Sequence, residues 1–162
     1  MPDTFDEAIA RHGPRLYALC RRLCGKEWEA QDLYQETWLR AWRCRQKYDP
    51  ARPFEAWLCR ICVNLFRDTL RRRAVLQFFP FAPEGPDAPP LAAPSDDRDE
   101  YAALHDAVRE LPTPQRLAVT LYYFCDKDIR QTALALGVPE GTVKSRLAKA
   151  RATLKRRLET DG

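Results

Sequence analysis

Apolar residues recur along this chain at the three-to-four-residue interval of an α-helix. No stretch alternates with the period of two that a half-buried strand requires. Thr4-Phe-Asp-Glu7 reads as a capping box, in which a Thr and a Glu side chain satisfy free amides at a helix start. Ile9, Leu16, Leu19 and Leu23 carry that helix to about Cys24, and Gly25 ends it. Leu33, Trp38, Leu39 and Trp42 predict a second helix from about Glu27 to Gln46. The stretch KYDPARP interrupts the pattern, because Pro50 and Pro53 lack the amide hydrogen that a helix interior uses. Pro53 suits a first helical turn. A third helix follows from about Phe54 to Arg73, with Trp57, Ile61, Leu65 and Leu70 along one side.

The chain changes character from Phe79 to Ser95. Pro80, Pro83, Pro86, Pro89, Pro90 and Pro94 preclude a helix there and favour a semi-extended tether. Residues 79–97 are therefore assigned as a flexible linker between a first domain, 1–78, and a second, 98–162. In the second domain Asp99 to Leu111 is helical, and Thr113 is placed as the N-cap of a helix through Phe124. Asp128 caps a short helix ending at Leu136, before Gly137. The last helix runs from about Pro139 to Leu158. The fold class expected is all-α: two small helical domains joined by a Pro-rich linker, with a C-terminal helix–turn–helix.

Composition changes this picture little, since 45% hydrophobic and 31% charged residues are ordinary for a soluble globular protein. There is no apolar run long enough for a membrane span. The acidic, amphipathic N-terminus lacks the features of a signal peptide, so a cytoplasmic address is expected. The distribution of charge says more than the net +4. Residues 140–159 hold seven Lys/Arg against two Glu, and residues 52–73 hold six Arg against two acids. Residues 96–111 are acidic, with six acids against two Arg. Two local basic patches are the footprint of polyanion binding, although a solvated helix face has the same composition. Six cysteines stand at 20, 24, 44, 59, 62 and 125. Cys20/Cys24 and Cys59/Cys62 each share a helix face, and four thiolates from two helices are a zinc-binding set. Their apolar neighbours favour packing as small hydrophobes instead, so no metal and no cofactor is expected.

The last helix has one apolar stripe, Val143, Leu147, Ala150, Leu154 and Leu158, for its own core. Lys144, Ser145, Ala148, Lys149 and Arg151 fall mostly off that stripe. With the preceding helix and the Gly137-Val138-Pro139 turn it makes a helix–turn–helix, whose second helix fits the DNA major groove. Small side chains allow close approach, Lys144 and Arg146 reach bases or phosphates, and the amides of Glu140 to Thr142 suit a phosphate. In the first domain aromatics interleave with arginines. Such a pattern offers stacking faces and cations to single-stranded nucleic acid, but Trp38, Trp42 and Trp57 taken singly suit a core equally.

EAQDLYQETWLRAWR (Glu29–Arg43) resembles the polymerase-binding helix of bacterial sigma factors of the extracytoplasmic-function (ECF) group. PFEAWLCRICVNLFRDTLRRR (Pro53–Arg73) resembles their −10 promoter helix. LPTPQRLAVTLYYF and GVPEGTVKSRLAKARATLKRRL, within Leu111–Leu158, resemble their −35 domain. The likeness spans most of the chain outside the linker, in the family's order. It implies that Asp32, Leu33, Gln35, Glu36, Trp38, Leu39 and Arg40 grip the clamp coiled coil of RNA polymerase's largest subunit. It implies that the loop Lys47–Glu55 captures a flipped −10 base, with Lys47, Asp49, Arg52, Phe54, Trp57, Arg60 and Asn64 on the −10 strand. Thr142, Lys144, Ser145, Arg146, Ala148 and Lys149 correspond to positions in the −35 major groove. Core RNA polymerase, including its beta flap through the C-terminal domain, promoter DNA and an anti-sigma factor are the implied partners. Two departures stand out: Asp126-Lys127-Asp128 replaces the family's usual Gly-Leu-Ser, and Thr132 replaces an aliphatic residue.

A helix–turn–helix repressor that never binds polymerase, and a thiol or zinc regulator, are the rival readings. The first leaves the Glu29–Arg43 motif and the Arg-rich third helix unexplained. Enzyme chemistry has the least support, because no phosphate-binding loop or metalloprotease motif occurs, and His12 and His105 have no paired group nearby in sequence. The linker reading makes a prediction. Limited proteolysis of the free protein cuts first within residues 79–95, and cleavage first inside a helix would contradict it.

Overall fold

A computed structural model of the chain describes residues 4–78 and 102–160. Seven α-helices make up the described residues: α1 (Phe5–Leu23), α2 (Glu27–Arg43), α3 (Phe54–Phe78), α4 (Ala102–Arg109), α5 (Thr113–Val119), α6 (Ile129–Leu136) and α7 (Glu140–Thr160). None is long and apolar enough to cross a membrane. The assigned linker, residues 79–97, lies outside the described residues.

The local starts and stops follow from side-chain chemistry. The Thr4 side chain accepts a bond from the Glu7 amide at 3.1 Å, giving α1 its N-cap. Asp128 and Gln131 exchange bonds of 2.7 and 3.0 Å in a complete capping box at the start of α6. Gly137 ends α6 in the left-handed conformation, φ 69°, where a side chain would be strained. Four expectations need correction, the first being the end of α3, which runs past Arg73 to Phe78. Helix α2 stops at Arg43, and Arg45–Lys47 tightens into a 3₁₀ turn. Thr113 is already helical rather than a cap, because the fixed φ of Pro112 sets the entry to α5. The side of α3 that faces the core carries Phe54, Leu58, Cys59, Cys62, Val63 and Phe66, whereas Trp57, Ile61, Leu65 and Leu70 are half-buried.

Helices α1 and α2 pack as an antiparallel pair across small residues, Ala8, Ala30 and Ala41, all fully buried. At Gly13 the Tyr34 hydroxyl lies 2.8 Å from where a Cβ would stand, so a larger residue there would displace the Tyr34 side chain. Helix α3 closes this three-helix unit. In the second unit Leu117, Leu121, Leu136, Val143 and Leu147 form the centre, and α7 packs on α4, α5 and α6. The two units are not separate in space. Helix α6 packs on α3, and the widened turn Thr120–Phe124 after α5 packs on α1, so one apolar cluster runs through both. The proline-rich linker gave no sign of this.

The cysteines take part in that core. Cys20 and Cys62 sulfurs meet at 3.8 Å, fully buried. Burial pushes the Cys24 and Cys59 thiols up to about 12, which keeps them protonated at neutral pH. Among the described residues no group of three or more His, Cys, Asp or Glu is placed to hold a metal ion.

Thr132 is fully buried in α6, and its hydroxyl has no hydrogen-bond partner among the described residues. An unsatisfied buried hydroxyl costs about 1–3 kcal/mol, and an isosteric apolar replacement removes that cost. Thr132→Val is therefore expected to raise the free energy of urea unfolding by about 1 kcal/mol; a destabilised variant would show that the hydroxyl is satisfied.

Candidate functional site

Helix α2 turns one side to the core and the other to solvent. Asp32, Gln35, Glu36, Leu39 and Arg40 are exposed, and Leu39 and Trp42 remain 48% and 46% exposed despite their size. Spacings of three and four residues line these side chains along one face. Leu39 and Trp42 are thus large apolar side chains set among charges on one exposed face. Arg45 stacks 3.9 Å above the Trp42 ring and donates to its carbonyl oxygen at 2.7 Å, which fixes the indole in place. Leu33 and Trp38 are buried at 6% and 7%, so these two predicted contact residues belong to the core beneath the face. Beside it, between α2 and α3, lies a cavity of about 210 Å³ whose rim includes Glu29, Asp32, Glu36, Arg72 and Arg73. Glu29 and Arg73 are paired there at 2.6 Å.

The segment 48–53 is a closed loop on an aromatic base. The Tyr48 hydroxyl donates to the Arg52 carbonyl at 2.7 Å, and an Asp49 carboxylate oxygen accepts from the Ala51 amide at 2.9 Å. Tyr48, Phe54 and Trp57 pack edge-on or tilted with centroids 5.2–5.5 Å apart. Lys47, Asp49 and Arg52 project from this loop into solvent. Phe54, expected among the −10 residues, is buried and packs under the loop against Tyr48 and Trp57. Trp57, Arg60 and Asn64 follow one another along a single side of α3, with Trp57 half-buried and the other two exposed. Arg67 and Arg71 extend the same strip; sequence reasoning missed them, although their spacing from Asn64 is the signal.

On α7 the expected stripe is confirmed for Val143, Leu147 and Ala150, all buried, while Leu158 is 41% exposed. Lys144, Ser145, Ala148 and Lys149 are exposed, and Thr142 is half-buried. Arg146 is half-buried, and its Nη1 atom has no partner among the described residues. Burial, then the nearby positive charges of Arg146 and Arg71, lower the Arg67 pKa. Arg60 reaches the helix–turn–helix itself, its guanidinium 3.3 Å from where a Gly137 Cβ would stand. The loop strip of α3 and the turn before α7 are thus brought together across the seam. Sequence reasoning also missed Tyr123, an exposed side chain whose hydroxyl accepts from Arg151 at 2.8 Å.

Residues 8–75 match the family model for Sigma-70 region 2, and residues 101–154 match that for Sigma-70, region 4. The chain is 37% identical over 154 residues to the ECF RNA polymerase sigma factor SigM of Mycobacterium tuberculosis, covering 95% of this chain and 76% of SigM. It is 36% identical over 157 residues to the ECF RNA polymerase sigma factor SigE of Mycolicibacterium smegmatis, spanning 94% of this chain but only 60% of SigE. The solved structure of the sigma factor RpoE, in complex with the anti-sigma factor NepR from Bartonella quintana, superposes with a TM-score of 0.76. That match has 25% identity and covers 98% of each chain. An exposed apolar helix face, an aromatic and cationic strip and a basic helix–turn–helix therefore occur in the order of two matched regions, and the chain belongs to the sigma-70 family as an RNA polymerase sigma factor of the ECF group.

Proposed function

We propose that the exposed face of α2 docks on core RNA polymerase, that the 48–53 loop with α3 reads the opened −10 strand, and that α7 reads −35 duplex. The observation that carries this reading is the separation of surface chemistry. Leu39 and Trp42 present apolar area ringed by Asp32, Gln35, Glu36 and Arg40, which suits a protein partner. The α3 strip and α7 present cations, amides and one half-exposed indole, which suit nucleic acid. A base turned out of the duplex costs a few kcal/mol, recovered by stacking and by contacts to its edges. Promoter opening of this kind needs no bond chemistry from the sigma factor. The RpoE complex with NepR supports an anti-sigma factor as a partner for this chain too. The polymerase surfaces are the clamp coiled coil for α2 and the beta flap for the C-terminal unit, and both place the protein in the cytoplasm.

Burial separates docking from folding on α2. Leu39→Ala is expected to weaken binding to core polymerase at least tenfold, with urea unfolding shifted by less than about 1 kcal/mol. Trp38→Ala should cost about 3–5 kcal/mol of stability, because it empties a core site. Unchanged polymerase affinity in Leu39→Ala would remove α2 as the docking face.

On α7, position along the helix separates base reading from phosphate binding. Lys144 lies in the N-terminal turns, where a recognition helix reaches base edges. Lys144→Ala should relax discrimination at one or two −35 bases by about 1–3 kcal/mol. Lys149→Ala should weaken all duplexes alike and lower the salt slope by about one. Quantitative binding to a library of −35 variants at several salt concentrations distinguishes the two, and identical behaviour of the variants would contradict the assignment.

A further inference from the structure

We propose that Lys127 is an interdomain latch, whose ion pair with Glu55 holds the two DNA-reading surfaces against each other until the domains are pulled apart. The inference rests on the promoter reading above and concerns how access to those surfaces is gated. Lys127 stands in the tripeptide that departs from the family's usual Gly-Leu-Ser. Its Nζ lies 2.7 Å from Glu55 Oε1, and its side chain is only 9% exposed. A lysine folded this far out of water, in a loop, is held by its partner. Asp126, just before it, takes the left-handed conformation, φ 54°, uncommon for a residue with a side chain. The Lys127 amide bonds back to the Leu121 carbonyl at 3.1 Å, which anchors the base of the lysine.

Glu55 is the first-turn residue of α3, adjoining the 48–53 loop. Arg15 of α1 also reaches it, at 3.3 Å, from an exposed position. Burial pushes the Glu55 carboxyl up, but the hydrogen bond and charge of Lys127, with Arg15, outweigh this and leave it below the usual carboxylate value. Around the pair lies a cavity of about 120 Å³ between the units, bounded by His12, Leu19, Leu58 and Phe124. A second contact supports closure further along α1, where the Arg22 guanidinium lies 4.9 Å over the Phe124 ring.

Closure has a cost that falls on functional residues. Arg60 is packed over the Gly137 turn, and Arg67 faces the charge of Arg146 across the seam. Two cationic surfaces that each suit phosphates thus face one another and repel. Duplex cannot enter between them while α6 lies on α3. Apolar contact across the seam works against this repulsion, and the Lys127–Glu55 pair, at the edge of the 48–53 loop, adds a favourable charge contact to it. When only a fraction of molecules is open, apparent affinity for DNA falls by that fraction.

The test uses the full chain with Lys127→Glu and Lys127→Arg, each checked for unchanged helicity by circular dichroism. Small-angle X-ray scattering should give a larger radius of gyration for Lys127→Glu, with Lys127→Arg like the wild type. A short random-sequence duplex is the DNA probe. Lys127→Glu removes a positive charge and adds a negative one, so a simple electrostatic role predicts weaker duplex binding. The latch predicts the opposite, tighter binding on the order of tenfold, because more of the population is open. Equal radii for wild type and Lys127→Glu, or an opened Lys127→Glu that binds duplex more weakly, would overturn the proposal. Failure of all three proteins to bind duplex would count against the promoter reading instead, and the radius of gyration would still decide the latch.

Discussion

Helix α3 is buried along two sides, and the rest of the molecule is arranged around that fact. Leu58, Cys62, Val63 and Phe66 meet α1 and α2, while the same helix supports α6 of the second unit and lies under Arg116, whose guanidinium sits 5.2 Å over the Phe66 ring. Burying a leucine- or phenylalanine-sized side chain contributes about 1.5–3 kcal/mol, so a helix anchored at this many points is a rigid rail. The 48–53 loop gains its order from that rail. Tyr48, Phe54 and Trp57 stack at its start, and the loop closes on them through one hydroxyl and one carboxylate bond. Such support limits the entropy that a loop loses when it binds.

The double burial also creates a conflict. The strip of α3 from Arg60 to Arg71 is cationic, and so is the exposed side of α7. Packing the two units together places like charges in a partly desolvated seam, where burial and neighbouring guanidiniums lower the Arg67 pKa. Apolar contact across the seam favours closure, and charge disfavours it. Two opposing terms of this kind are tipped by a partner that binds either unit.

Much of this was legible in the sequence because the signals are local. Asp128 with Gln131, Thr4, Gly137 and the prolines of KYDPARP each act within a turn or two of their own position, so the helix ends at α1, α6 and α7 were readable to within two residues. The exposed and buried sides of α2 were readable only in part. Leu39 lies about a third of a turn from both Leu33 and Trp38, and which of the three meets solvent depends on where α1 and α3 cross the helix. On α3 the apolar residues cover more than one side, so their period alone does not say that Leu58, Cys62, Val63 and Phe66 are the ones buried against α1 and α2. Sequence by itself determined an all-helical chain, the place of its helix–turn–helix and the chemistry of its surfaces, since these follow from residue type and interval. Only the tertiary structure decided that the units share a core and that Lys127 finds Glu55, residues 72 positions apart in sequence. Such pairings depend on how whole helices pack, and no local interval encodes them.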